Sequence, residues 1–189
     1  SPVDVGSVNA LWAQLKQAKQ PLLWLGCADA VKKLADAGIT VISSTHARGV
    51  LPDSHRASLR AFHNSPSVEA LMAQCDFTLV AGSRLRSNET RSWTLELPSP
   101  RVQIDIDPAA ASRNYLMDNT LIADCPALLA ALAAKAQGRE WGNGHWDAQV
   151  KEAVTLAEHG LREQCGAYAR LNDAIEQALP DDGILVRDI

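Results

Sequence analysis

Phe77-Thr78-Leu79-Val80-Ala81-Gly82-Ser83 is a short uncharged run that stops at a glycine and a serine. It is too brief for a buried helix and has the form of a strand covered on both faces. Just upstream, Ser65-Pro66 opens a helix, because proline is tolerated in a first turn, and Val68, Leu71, Met72 and Cys75 supply its apolar stripe. The same alternation extends toward the amino terminus. Ser7 is placed to cap a helix bearing Val8, Leu11, Trp12 and Leu15, Gln20-Pro21 stops it, and Leu22-Leu23-Trp24-Leu25 is a strand ending at Gly26. Ala28 to Ala37 is a second helix finished by Gly38, and Ile39 to Ile42 a second strand.

Toward the carboxyl terminus, Val102, Ile104 and Ile106 alternate with polar residues in Arg101 to Asp107, as in a strand near a sheet edge. Thr120 to Ala123 is a fifth short strand, and Asp124 caps a helix from about Pro126 to Gln137. Strands separated by helices, with no hairpin turns between them, predict an α/β fold: a Rossmann-like parallel sheet with helices on both faces. Its core is expected to contain Trp12, Leu15, Leu23, Leu25, Val41, Ile42, Leu79, Val80, Ile104 and Ile106.

The pattern changes after Gly138, so the sequence divides into a Rossmann-like unit over 1–138 and a helical extension over 139–189. Trp141-Gly142-Asn143-Gly144 is turn-rich, and Trp146, Val150, Val154, Ala157 and Leu161 define an amphipathic helix whose stripe could dock on a partner. A further helix, about Ala167 to Leu179, leads through Asp182-Gly183 to the strand-like Ile184-Leu185-Val186 and the chain end, Asp188-Ile189. A strand left there alone would have an unpaired edge, so this tail reads as the start of another domain.

A net charge of −4 lacks the basic excess that nucleic-acid phosphates require, and no stretch reaches the roughly eighteen apolar residues of a membrane span. Nucleic-acid and membrane partners are therefore not expected, and neither is a secretory leader; the reading is cytoplasmic. Cys27, Cys75, Cys125 and Cys165 form no CxxC pair and read as small apolar residues in or near the core. His46, His55 and His63 have no metal-ligand spacing and read as surface or loop histidines.

Ligands of such sheets collect beyond the carboxyl ends of the strands. The candidate site residues are therefore Gly26, Thr45, Gly82, Ser83, Arg84, Asp105 and Asp107, with Arg84 available to a phosphate and either aspartate to ribose hydroxyls. Asp105 and Asp107, two apart on the expected strand, should point the same way. The bland alternative is that Gly26 and Gly82 only permit tight turns and that the charged residues form a solvated rim.

Read in order, the strand ends resemble the central domain of thiamine-diphosphate-dependent enzymes of the acetolactate synthase, benzoylformate decarboxylase and benzaldehyde lyase type. The matching stretches are Pro21–Gly26, Val41–Thr45 leading to Arg48-Gly49-Val50-Leu51-Pro52-Asp53-Ser54-His55, Cys75–Leu85, Gln103-Ile104-Asp105-Ile106-Asp107-Pro108 and Leu121-Ile122-Ala123-Asp124. The tail Leu179 to Asp188 is similar to the first strand of the family's pyrophosphate-binding domain. The resemblance implies a parent enzyme that uses thiamine diphosphate and Mg2+ as a C–C bond lyase or transferase on 2-oxo acids or 2-hydroxy ketones. It implies a homodimer or homotetramer with pyrimidine- and pyrophosphate-binding domains beside this one.

The glutamate that activates the cofactor and the element that ligates its magnesium have no counterpart in this sequence. This stretch is accordingly expected to be non-catalytic and to brace the two cofactor-binding domains. Some relatives carry FAD or ADP here. In this chain Gly26 is followed by Cys27 and Ala28, whose side chains would crowd a diphosphate, and Leu59-Arg60-Ala61-Phe62-His63 stands where relatives have glycine, so FAD and ADP are disfavoured. A free-standing FAD-, ADP- or NAD-binding module is the alternative reading.

Overall fold

In the computed structural model, residues 4–26, 30–180 and 182–186 are described. The elements are α1 (Val5–Leu15), β1 (Pro21–Leu25), α2 (Val31–Asp36), β2 (Thr40–Ser43), α3 (Pro66–Met72), β3 (Phe77–Ala81), β4 (Arg101–Asp105), β5 (Asn119–Ile122), α4 (Cys125–Lys135), α5 (Gly144–Cys165) and α6 (Tyr168–Ala178). The strands form one sheet in the order β2-β1-β3-β4-β5, and every pair is parallel. The predicted α/β sheet is thus present, with β4 in its interior and β5 at its edge.

Alternation along β1 explains why its sequence is apolar throughout. Leu23 and Leu25 join the core beneath α1, α2 and α4, whereas Leu22 and Trp24 join a second core beneath α3 and α5. All four are fully buried, because a parallel sheet clothed by helices has no wet face. Beyond β2, the segment Ala57–Arg60 runs alongside in parallel fashion. Val41 donates to the Ala57 carbonyl, Leu59 to that of Val41 and Ser43 to that of Arg60, each at 2.8 Å. This covers an edge that would otherwise present unpaired backbone.

Helix ends follow local chemistry. Asp124 caps α4 as expected, accepting from the Ala127 N–H at 2.9 Å. At α1 the cap is Asp4 rather than Ser7: its carboxylate accepts from the Ser7 N–H and hydroxyl, both at 2.7 Å, because an ionised side chain one turn earlier is the stronger acceptor. Gly38 ends the α2 turn with φ of 95°, and a Cβ there would lie 1.8 Å from the Trp141 carbonyl oxygen. The turn-rich segment after residue 138 is locked onto that glycine, with Trp141 donating to the Ala37 carbonyl at 2.7 Å.

The apolar stripe of α5 is consumed within the molecule. Trp146, Val150, Val154 and Ala157 are buried in the second core, and the Trp146 indole N–H donates to the Thr40 hydroxyl at 2.8 Å; of the expected stripe only Leu161 is exposed. A docking face from Trp146 to Leu161 is therefore corrected to an internal contact. By contrast α6 buries no residue and is held to α5 by a two-pronged Arg162–Asp173 ion pair at 2.7 and 2.8 Å. Ile184-Leu185-Val186 forms no strand, and its side chains are exposed.

Ile106, expected in the core, is 70% exposed, because β4 ends at Asp105 and the alternation stops there. Trp12 is half-buried, its ring edge-on to Trp141 at 5.9 Å. Cys75 and Cys125 are buried, and burial, with a smaller push from Asp76, raises the Cys75 thiol to about 12, which makes it chemically inert. Cys27 and Ala28, and Asp188-Ile189, lie outside the described residues. Among the described residues no helix is long and apolar enough to cross a membrane.

Candidate functional site

The crevice lies at the carboxyl ends of the strands, where β1 and β3 lead to opposite sides of the sheet. Gly26 and Gly82 meet there. The Gly26 N–H donates to the Ala81 carbonyl at 2.7 Å, and a Cβ on Gly26 would sit 2.0 Å from the Gly82 oxygen. Gly26 thus admits a neighbouring backbone. Its smallness is used up by the fold, in keeping with the bland reading of that residue.

Ser83 is buried, its hydroxyl accepting from the Leu85 N–H at 3.2 Å and its carbonyl from the Gln103 amide at 3.1 Å. The other end of Gln103 accepts from the Ser112 N–H at 2.7 Å, so this side chain stitches the loops after β3 and β4 together. Arg84 reaches Asp107 at 3.4 Å, with both side chains about half exposed, a pairing worth about 0–1 kcal/mol. Asp107 also accepts from the Ala109 N–H at 2.9 Å, which shapes its own turn.

Asp105 and Asp107 do not form a parallel pair. Asp105 is buried at the end of β4 and accepts from the Asp107 N–H at 2.9 Å, so one aspartate turns the chain that carries the other. Thr45, exposed in a short 3-10 turn after β2, donates its N–H to the Glu89 carboxylate at 2.8 Å. Of the expected residues, then, Gly26 meets Gly82, Ser83 follows directly after it, and Arg84 meets Asp107. Asp105 meets Asp107 through the backbone N–H of the latter, and Thr45 bonds to Glu89, a residue outside the expected set.

Two residues that sequence reasoning did not single out for this region are central to it. Glu89 is only 2% exposed, although it comes from an aperiodic stretch without a strand or helix pattern. His63 lies in a loop, one of the two places read for it, but is buried there and not at the surface, with its ring tilted against Trp24 at 5.8 Å. No periodic signal marks either one.

Burial holds the His63 imidazole below its ordinary range. The Glu89 carboxylate and the Ser43 carbonyl pull it back up, and Arg48 adds a smaller push down. The unfolded chain therefore takes up this proton first as pH falls, so stability is expected to decline once pH drops below the unfolded value of about 6.5. Urea midpoints at pH 7.5 and 5.5 should differ more for the unaltered chain than for His63→Gln. An equal difference would refute the coupling.

Among the described residues no group of three His, Cys, Asp or Glu side chains could hold a metal ion. The diphosphate of thiamine diphosphate is held through magnesium by oxygen ligands, and the donor set on these strand ends does not fit that group.

A sequence model of the family described as "Thiamine pyrophosphate enzyme, central domain" matches residues 8–132. An acetolactate synthase of Mycobacterium avium is 29% identical over 126 residues, 61% of this chain and 20% of that protein. A pyruvate oxidase of Lactiplantibacillus plantarum is 32% identical over 146 residues, 72% of this chain and 24% of its own length. A Bacillus subtilis protein described as thiamine pyrophosphate-containing is 28% identical over 188 residues, 93% of this chain and 29% of that protein. This chain therefore spans about a fifth to less than a third of the relatives it matches.

Proposed function

From the premise that the chain belongs to the family of thiamine pyrophosphate enzyme central domains, we propose that it works as the non-catalytic central layer of such an enzyme. In this role it spaces and braces a pyrimidine-binding and a pyrophosphate-binding domain, and the assembled enzyme is a homodimer or homotetramer. Relatives named as acetolactate synthase and pyruvate oxidase support a 2-oxo acid or 2-hydroxy ketone as substrate, with C–C bond lyase or transferase chemistry. Thiamine diphosphate with Mg2+, held by those outer domains, would supply that chemistry. Residues 139–189 form the connection toward the pyrophosphate-binding domain, with α5 docked on the second core and α6 held to α5 by the Arg162–Asp173 ion pair.

The observation that carries this reading is the use of the strand ends. Where an independent ligand site would offer free backbone N–H groups and a free cation, the Thr45 N–H is tied to Glu89, the Gly26 N–H to the Ala81 carbonyl and Arg84 to Asp107. What these residues do is hold loops in register, which suits a rigid spacer.

The test is calorimetric titration of the 189-residue chain with thiamine diphosphate and Mg2+, alongside an assay for carbon dioxide release from pyruvate. No heat of binding and no release are expected. Turnover of a 2-oxo acid by this polypeptide alone would overturn the proposal.

A further inference from the structure

Beyond the spacer role, we propose that Glu89 is a built-in anion that bars nucleotide phosphates from the crevice at the end of β1. The sheet order places β1 between β2 and β3. A bond from the loop after β3 to the loop after β2 must therefore pass over the carboxyl end of β1, and Glu89 makes one. Its carboxylate accepts from the Thr45 N–H at 2.8 Å while 2% exposed. Arg86 lies across the same gap, 3.3 Å from the Nδ1 of His46, and Asn64 donates to the Asn88 carbonyl at 2.8 Å. The span from Arg86 to Glu89 is thereby strapped across the mouth of the strand.

The buried charge of this strap is an anion, Glu89, while its one cation, Arg86, is exposed and lies against the His46 ring. In parallel α/β sheets, backbone N–H groups just beyond the strands receive the phosphates of bound nucleotides. Here the Thr45 N–H already has a carboxylate, and a second anion would be brought beside a buried negative charge with no solvent to screen it. Of the arginines flanking this gap, Arg84 faces Asp107 and Arg86 faces the His46 ring. Ligand charge, more than ligand size, is therefore what this crevice discriminates against, and Glu89 is the specificity-determining residue. The spacer role stands or fails on turnover, whereas the exclusion of phosphates is read by binding alone.

The test is equilibrium binding of the 189-residue chain to ADP as the diphosphate probe and to adenosine as its uncharged counterpart. Glu89→Gln keeps an oxygen for the Thr45 N–H and removes only the charge; Glu89→Ala removes both. Glu89→Gln is expected to tighten ADP binding at least tenfold while changing adenosine less than twofold, and Glu89→Ala to tighten ADP likewise. Three outcomes would overturn the proposal: a folded Glu89→Gln chain with unchanged ADP affinity, equal gains for ADP and adenosine, or an unaltered chain that already binds ADP more tightly than adenosine. Failure of Glu89→Gln to fold, read by circular dichroism, would also overturn it, because the charge would then serve stability alone.

Discussion

Ending the chain at Gly138 is expected to abolish its cooperative unfolding transition. The reason lies in the second core, where Leu22, Trp24, Ile42 and Val80 are fully buried beneath α3 and α5. α3 is a short helix, Pro66–Met72, and cannot cover that face by itself. At roughly 1.5–3 kcal/mol for each large apolar side chain, losing Trp146, Val150 and Val154 forfeits about 5–9 kcal/mol, which rivals the whole margin of about 5–15 kcal/mol of an ordinary domain. Polar groups are orphaned too. Thr40, 1% exposed, loses the indole N–H of Trp146, and Ser67 loses the Ala153 carbonyl that it reaches at 2.8 Å. Ending the chain at Gly166 instead removes α6, which buries nothing, and should shift the urea midpoint little. Retention of a sharp transition at an unchanged midpoint by the shorter chain would show that the second face does not need α5.

That expectation could not have come from the sequence. The spacing of Trp146, Val150, Val154 and Ala157 announces that one face of α5 is buried, but an amphipathic pattern carries no label for what covers it. The strands are far more legible, because burial on both faces leaves an unbroken apolar run, and Phe77–Ala81 has the predicted bounds to the residue. Reading fails where alternation is extended past its physical end. Asp105 turns its carboxylate onto the Asp107 N–H, β4 stops, and Ile106 faces solvent.

Gln103 illustrates a related limit. A polar residue in an alternating strand reads as facing water, yet a sheet clothed on both sides has no wet face, and Gln103 is 2% exposed with a partner at each end of its amide. Glu89 is least legible of all. The segment from Leu85 to Trp93 includes four residues at positive φ, Leu85, Arg91, Ser92 and Trp93, none of which is a glycine that would have marked the turns. A buried carboxylate held in such a path is specified by its partner across the crevice, not by its neighbours in sequence.

Gly26→Ala should be among the most destabilising single substitutions in the chain, lowering stability by about 3–5 kcal/mol. An added Cβ would lie 2.0 Å from the Gly82 oxygen, 2.3 Å from its carbonyl carbon and 2.6 Å from the Ser83 nitrogen. All three are backbone atoms, so no side chain can swing aside. Nor can the backbone yield cheaply, since Gly26 donates to Ala81 at 2.7 Å and Gly82 to Ile104 at 2.9 Å, which clamps β1, β3 and β4 together at that level. Gly49 supplies the control. It has φ of 86° but open space where a methyl would go, so Gly49→Ala carries only the backbone cost, about 1–2 kcal/mol. The same added carbon thus separates lack of room at one glycine from backbone strain at the other. Thermal melts should place Gly26→Ala well below Gly49→Ala, and the reverse order would mean that the strand ends at β1 and β3 stand further apart than the close approach of Gly26 to Gly82 requires.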